Sequence, residues 1–482
     1  DFQRVDELHD IGYNRTISMM DSIKSRIHRR VNLDNIRLRR MVYRSNYPEL
    51  RFKNIIIDGA NTQQQAYIKK EFHKSDNKEF SYEDLKQGYF RLLSDNMISE
   101  IIPHAIYNPE DDTYDLHLKV KLENNFAVRL GGNKSTSNSN QIYLGLSYQD
   151  LNYYAKEFVF DGQLGKVYNN AQFMAKIDFS TAIPTSYRFI ASISTFDYFK
   201  KDKLFSRNDK PAFNQKDERF LKLQVGLPFL SSKRAEFGIG IARIEDKYFQ
   251  KSVIDFGNDK FDKSRYDLFG GSISFNGSTL NSRQYPTRGY REALIAQIFI
   301  GRERFYPGES ATGNNNKEHH SWLQLSYMKE KYHNMSEHWV LGWYLKALYA
   351  SKNFSENYTA TMMQAGEFSP TQHSKLTYNE AFRANQFVGA GIRPIYRLNQ
   401  MFHLRGEFYG FMPIYPIERN SLNKAYYGKA FSKFEYLGEI SVVCQLPFGD
   451  ISAYVNHYSS PKREWNVGLS IGWQLFNYRF IE

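Results

Sequence analysis

From Phe126 to Glu482 apolar side chains recur at every second position, in segments separated by Asn, Asp, Gly, Ser and Lys, and nothing there has the spacing of a long helix. Ile142, Leu144, Leu146 and Tyr148 alternate with Tyr143, Gly145 and Ser147. Phe237, Ile239 and Ile241 alternate with Gly238, Gly240 and Ala242. Trp465, Val467, Leu469, Ile471 and Trp473 alternate with Asn466, Gly468, Ser470, Gly472 and Gln474. A period of two places one set on each face of a sheet. Roughly 16 such segments follow one another, each near the ~9 to 11 residues that cross a bilayer when tilted. The polar faces are rich in glycine and the apolar ends carry Trp, Tyr and Phe, which predicts an antiparallel barrel with lipid outside and a polar lumen. Lipid offers no partner to a free strand edge, so the sheet has to close. A charge on the lipid face would cost ~2 to 4 kcal/mol at the midplane, so Arg129, Arg405 and Glu407 are expected to face the lumen.

Composition excludes several other classes. Mean hydropathy is −0.60, and no apolar run approaches the ~18 residues of a membrane helix, which rules out a helical membrane protein. Aromatic residues make up 16% of the chain, which argues against disorder. The one cysteine excludes an internal disulfide; Cys444 lies among Val442, Val443 and Leu446 and reads as a packed small hydrophobe. Lys and Arg number 64 against 52 Asp and Glu, a formal net charge of +12. These basic residues are spread through Asp- and Asn-rich loops instead of forming a block, which argues against nucleic acid as a partner.

The chain opens on Asp1 with no initiating Met or charged leader, so any signal peptide or upstream domain is expected to lie before it. Residues 11 to 30 read as an amphipathic helix carrying Ile11, Ile17, Met20, Ile23 and Ile27, with a basic end at His28, Arg29 and Arg30. A lone helix of that length is marginal in water and needs a surface to pack on. Between residues 51 and 123 the period changes from strand to helix, helix, strand and strand. Ile55, Ile56 and Ile57 run into Asp58-Gly59; Thr62 to Phe72 and Ser81 to Leu93 have helical spacing; Ile101 to Tyr107 and Tyr114 to Leu122 alternate. Ser81 followed by Asp84 is a capping-box-like start, with Asp in place of Glu or Gln. This order resembles a POTRA domain, the periplasmic module of bacterial outer-membrane assembly and secretion barrels.

Further motifs carry the resemblance into the barrel. Tyr285-Pro286-Thr287-Arg288-Gly289-Tyr290 falls between the eighth and ninth segments; read alone it is a turn marked by Pro and Gly. It resembles the Tyr/Phe-Pro-Thr-x-Gly turn of the POTRA-barrel superfamily, which implies a periplasmic turn, the side that strand counting also gives. In that superfamily a long loop after the eleventh strand folds into the lumen and carries an Arg-Gly-aromatic tip. The corresponding stretch here is Ser351 to Gln386, and its best match is Phe382-Arg383-Ala384-Asn385-Gln386-Phe387, with Ala384 and Asn385 departing from the pattern and Arg383 keeping the charge. An acidic partner on the following strands is implied, and Glu407 is the candidate, so a luminal ion pair between Arg383 and Glu407 is expected.

No enzyme chemistry is legible in this chain. Gly468-Leu469-Ser470-Ile471-Gly472 matches Gly-x-Ser-x-Gly, but that motif works as an elbow between strand and helix, and alternation places Ser470 on a strand's polar face. His319 and His320 are adjacent in what reads as a polar loop, with no spaced second pair, so no metal site is expected. There is no phosphate-binding loop, dinucleotide fingerprint or zinc spacing, and no cofactor is expected.

The whole pattern most resembles the C-terminal portion of the patatin-like phospholipases of Gram-negative bacteria, on the helix around Gly12-Tyr13-Asn14, the single POTRA-like unit, and the barrel sequence Leu146-Ser147-Tyr148 to Leu151-Asn152-Tyr153. It implies residues 1–50 as the helical tail of an upstream patatin-like domain plus linker, 51–123 as a POTRA-like periplasmic domain, and 124–482 as an outer-membrane β-barrel. The expected fold class is mainly β: a transmembrane barrel of roughly 16 antiparallel strands behind one small α+β domain and a helical remnant. The implied function is to anchor or export a lipid hydrolase domain that lies outside this chain. The alternative is an assembly or secretion barrel without enzymatic activity. Expected partners are outer-membrane lipid, the upstream domain of the same precursor, and a periplasmic or secreted client protein.

Overall fold

The computed structural model describes residues 5–27, 32–45, 49–72, 79–136, 140–179, 183–197, 214–229, 233–250, 260–309, 311, 314–460, 465–476 and 478–482. The chain begins with helices α1 (Val5–Ser18), α2 (Met20–Arg26) and α3 (Leu33–Ser45). The single helix expected over residues 11 to 30 is therefore broken at Met19, and its basic end, His28 to Arg30, lies outside the described residues. The break has a local cause. The Thr16 and Ser18 hydroxyls bond back to the carbonyls of Gly12 and Arg15, competing with main-chain donors in the last turn. The stretch expected as linker holds α3, and neither α2 nor α3 buries a residue.

The small α+β domain follows as β1 (Arg51–Asp58), α4 (Thr62–Phe72), β2 (Phe80–Ser81), α5 (Tyr82–Leu93), β3 (Ile98–Asn108) and β4 (Thr113–Leu122). Its sheet order is β2-β1-β4-β3, with β1 parallel to β4, so β3 is an edge strand. Both helices cover one face, and Phe52, Ile55, Ile57, Ile68, Phe72, Leu92, Leu116 and Leu118 form the core. Leu151 and Ala155, which flank the second turn of the barrel, join this core and seat the domain on the barrel's rim. Near that contact the Tyr67 hydroxyl donates to Asp95 at 2.9 Å, and burial raises the pKa of both groups.

The capping box at α5 forms with both bonds: the Asp84 N–H donates to Ser81 Oγ at 3.2 Å, and the Ser81 N–H donates to Asp84 Oδ2 at 3.0 Å. The Ser81 hydroxyl and N–H hold the Asp84 carboxylate below its usual range. A carboxylate with a depressed folded pKa contributes stability above its unfolded pKa, and that stability is lost as pH falls through the folded value. Ser81→Ala should therefore weaken the start of α5 by about 1 kcal/mol at neutral pH, and by less once Asp84 is protonated. Hydrogen exchange over α5 at two pH values checks this; unchanged exchange at pH 7 would show the cap to be without effect.

The remaining strands close into a barrel. They are β5 (Phe126–Ser135), β6 (Gln141–Leu151), β7 (Ala155–Gly165), β8 (Tyr168–Phe179), β9 (Thr185–Asp197), β10 (Asn214–Phe229), β11 (Lys233–Tyr248), β12 (Asp262–Ser278), β13 (Gly289–Tyr306), β14 (Asn316–Asn334) and β15 (Trp339–Ala350). The loop after β15 carries α6 (Tyr358–Gln364), β16 (Gly366–Glu367) and β17 (Arg383–Ala384), and then come β18 (Gln386–Arg397) and β19 (Phe402–Pro413). A hairpin of β20 (Ile417–Arg419) and β21 (Ala425–Tyr427) precedes β22 (Glu435–Cys444), β23 (Asp450–Tyr458) and β24 (Trp465–Gly472). Sixteen of these form one closed antiparallel ring, β5 beside β24.

The alternation sorts as expected. Ile142, Ile239 and Leu469 point outward and are exposed, while Asn133, Gln172 and Glu303 point inward and are buried. Arg129 meets Asp161 at 3.5 Å, and Arg405 and Glu407 are buried in the lumen beside the outward Phe408. An apolar outer band is the surface a bilayer covers. Its end carries Tyr154, Phe179 and Tyr187 in one ring cluster and Trp339 against Tyr396. His319 and His320 lie within β14 and not in a loop. The strand's alternation separates them, His319 outward and His320 inward and buried.

Candidate functional site

The loop between β15 and β18 fills part of the lumen. Asn357 caps α6 by accepting the Ala360 N–H at 2.9 Å, and its amide donates to the inward Tyr248 hydroxyl at 2.7 Å. The hairpin β20–β21 closes over α6, with Ile417 packed on Met362 and Ala365. In the ladder β16–β17 Glu367 stands opposite Arg383, and Arg383 Nη2 donates to Glu367 Oε2 at 2.9 Å. Arg383 Nη1 also donates to the carbonyls of Met363 and Ala365, both at 3.3 Å, and so satisfies the end of α6.

The expected pair of Arg383 with Glu407 does not form. Arg383 is held within the loop by its own ladder, and Glu407 is taken by Arg405 beside it on β19 and by the Tyr409 hydroxyl at 2.5 Å. A double-mutant cycle should therefore show coupling between Arg383→Ala and Glu367→Ala, with the double mutant little worse than either single. Arg383→Ala and Glu407→Ala should add. Thermal midpoints of the heat-modifiable gel shift give both cycles, and additivity in the first would remove the Arg383 to Glu367 bond from the account.

Glu407 belongs to a different structure, a buried network of two arginines, two glutamates and two tyrosines on β14, β18 and β19. Arg393 bonds Glu330, and donates to the hydroxyls of Tyr332 at 2.5 Å and Tyr409 at 2.6 Å. Its remaining nitrogen donates to the Pro370 carbonyl of the luminal loop at 3.2 Å. Arg405 bonds Glu407, the Tyr332 hydroxyl at 3.0 Å, and the Pro286 carbonyl at 2.8 Å. One neutral cluster thus holds both the luminal loop and the turn after β12.

That turn is the Tyr285 to Gly289 motif, folded inward at the mouth. Tyr285, Pro286 and Thr287 are buried. The Tyr285 hydroxyl donates to Ser452 Oγ at 3.0 Å, and Asn281 Oδ1 accepts the N–H groups of Thr287 and Arg288, both at 3.0 Å. Gly289 has φ +94°, and a Cβ there would lie 2.1 Å from the Thr279 carbonyl oxygen, so only glycine fits. The loop reaches this turn with Pro370 to Lys375, not with Arg383. Gln372 donates to the Gln284 carbonyl at 2.7 Å, and His373 bonds Glu439 at 2.9 Å while its ring stacks on Tyr454 at 3.4 Å. The motif match to Arg383 therefore missed the deep tip; the inward parity of Arg393, Glu330 and Glu439 was its legible signal.

The ring closes weakly at one place. Among the described residues β5 and β24 pair at Ser135 with Ser470, Lys134 with Ile471 and Asn133 with Gly472, extended by the Thr136 N–H donating to the Leu469 carbonyl at 2.9 Å, whereas β23 and β24 pair from Asp450 with Gly472 to His457 with Trp465. The Trp473 N–H adds a bond to the Gly132 carbonyl at 2.8 Å. Among the described residues no strand pairs with that edge of β5 from Phe126 to Gly131. At Gly472 (φ +109°) the chain leaves the wall and turns into the lumen; a Cβ there would lie 2.1 Å from the Gly132 carbonyl oxygen. Ser470 is mid-strand and buried, its hydroxyl donating to Asn133 Oδ1 at 2.7 Å, with no base beside it in that bond. Glu303, Glu318 and His320 come together on β13 and β14, His320 Nε2 lying 2.9 Å from Glu303 and 3.8 Å from Glu318. Glu303 also accepts the Tyr266 hydroxyl at 3.0 Å, so the cluster reads as a buried hydrogen-bonded contact of the wall.

No protein-family model and no curated protein matches the sequence. Solved structures do. BamA from Haemophilus ducreyi, lacking POTRA domains 1–3, aligns over 88% of this chain and 84% of its own with TM-score 0.59 and 12% identity. CdiB from Escherichia coli aligns over 88% of this chain and 76% of its own with TM-score 0.50 and 11% identity. At these identities the likeness is one of fold.

Proposed function

We propose that this chain is an outer-membrane assembly barrel that takes up an unfolded client polypeptide at its periplasmic POTRA-like domain and releases it into the bilayer through the β5–β24 seam. The observation that carries this reading is the seam itself. Every backbone group in lipid needs a partner, yet among the described residues no strand pairs with that edge of β5 from Phe126 to Gly131, while its other edge is paired with β6 along its length. An unpaired edge inside a membrane is a template for another strand. The edge strand β3 of the small domain offers a second such template on the soluble side, and the fold shared with BamA and CdiB supports the reading. Liposomes carrying the chain should fold an added denatured barrel protein faster than empty liposomes, and equal rates would contradict the proposal.

A second reading keeps this barrel as the carrier of an upstream patatin-like hydrolase. It is favoured by α1 and α3, whose Leu8, Ile11, Tyr13, Ile17, Met41 and Val42 are exposed and need a surface to pack on. A Gly-x-Ser-x-Gly elbow and an Asp-Gly-Gly turn in the reading frame before Asp1 would favour it, and further POTRA repeats there would favour assembly.

A further inference from the structure

The described residues after Gly472 do not continue the wall; Gln474 and Leu475 bond near the seam, and Phe480 to Glu482 lie against the inner face of β10 to β14. Phe480 is 3% exposed, its ring 5.9 Å from that of Phe220 and 5.7 Å from that of Phe299, with Ile190 and Leu268 in the same cluster. The floor under the ring is made by Gly240 and Gly270, which face each other in register across β11 and β12. A Cβ on Gly240 would lie 2.9 Å from the Phe480 ring, and one on Gly270 would lie 3.1 Å from it. The wall thus lacks side chains where an aromatic ring sits.

The segment's main chain is read as well. Gln297 uses both ends of its amide, Nε2 donating to the Phe480 carbonyl at 3.1 Å and Oε1 accepting the Glu482 N–H at 3.0 Å. Glu218 Oε1 accepts the Phe480 N–H at 2.7 Å, and Gln324 Nε2 donates to the Glu482 carbonyl at 2.6 Å. Nearer the seam, Gln284 and Gln141 accept the N–H groups of Gln474 and Leu475 at 3.1 and 3.3 Å. Groups that grip a carbonyl and an N–H two residues apart recognise extended chain whatever its sequence, as an added strand is recognised. A segment that merely filled space would be held through its side chains.

We propose that the inner wall of β10 to β14 is a binding site for one extended, aromatic-bearing polypeptide segment, occupied here in cis by Phe480 to Glu482. The ring pocket supplies selectivity for an aromatic residue, and Gln297, Glu218 and Gln324 supply the main-chain grip. The proposal rests on the assembly reading only for the source of the competing segment, an unfolded client.

The test uses the full chain, folded in detergent, and a fluorescent peptide with the sequence of residues 473–482. Phe480→Asp places a charge in an apolar pocket and should empty the site, so the peptide is expected to bind this variant about tenfold or more tighter than the wild type. Adding Gln297→Leu to Phe480→Asp should abolish the gain. Equal binding to wild type and Phe480→Asp, or a gain indifferent to Gln297, would overturn the proposal. Should Phe480→Asp not fold, Gly270→Leu fills the pocket instead, and hydrogen exchange over residues 473–482 should rise about tenfold; unchanged exchange would overturn it equally. Client folding in liposomes is a separate readout, so peptide binding without accelerated folding keeps this site and sinks the assembly reading, and the reverse sinks this site alone.

Discussion

Arg393→Ala is expected to lower barrel stability by about 3 to 5 kcal/mol, the cost of removing one partner from a buried charge cluster. The guanidinium joins Glu330, Tyr332, Tyr409 and the Pro370 carbonyl at once, and the side chain is 4% exposed. Its loss leaves Glu330 with the Tyr332 hydroxyl at 3.2 Å as its remaining described partner, and frees the loop tip from β18. Arg393→Lys should recover little, because an ammonium cannot reach that many acceptors in one plane. Two measurements check this: the temperature at which the boiled and unboiled gel forms converge, and the rate of protease cleavage between residues 351 and 385. Cleavage should accelerate in Arg393→Ala and much less in Arg383→Ala, because Arg393 ties the loop to the wall while Arg383 ties it to itself. An unchanged midpoint with an uncut loop would mean that the tip is held by His373 and Gln372 alone.

The barrel was legible in the sequence because period two is a property of each strand separately, and sixteen strands repeated it. The buried luminal Arg405 and Glu407, and Arg129 in its contact with Asp161, followed from the same parity. The helices α4 and α5, and the Ser81 cap, were legible because their signals are local. What failed was partner choice over distance. Alternation says that Glu407 faces the lumen, but not which of several luminal cations reaches it, and Arg405 is two residues away on the same face. The match at Arg383 rests on one residue of a three-residue pattern, while the deep tip, Pro370 to Lys375, carries no motif of its own. The turn at Gly472 was also hidden, since Trp473 and Gln474 continue the alternating pattern, and only the positive φ and the close Gly132 carbonyl end the strand there. The broken N-terminal helix reflects hydroxyls whose effect a periodicity count does not register.

Locking the seam should abolish the proposed activity. Ser135 and Ser470 are register partners on β5 and β24, and partners in antiparallel strands sit at about 4.5 to 5.5 Å between Cα atoms, within the range a disulfide spans. Cys444 is the one native cysteine and can be replaced by Ser, so that Ser135→Cys with Ser470→Cys forms a single bond. The measurement is the folding rate of a denatured barrel protein added to liposomes that carry this variant, oxidised and then reduced. The account predicts the rate of empty liposomes when oxidised and full acceleration when reduced; acceleration that is the same in both states would show that the client does not pass through the β5–β24 seam.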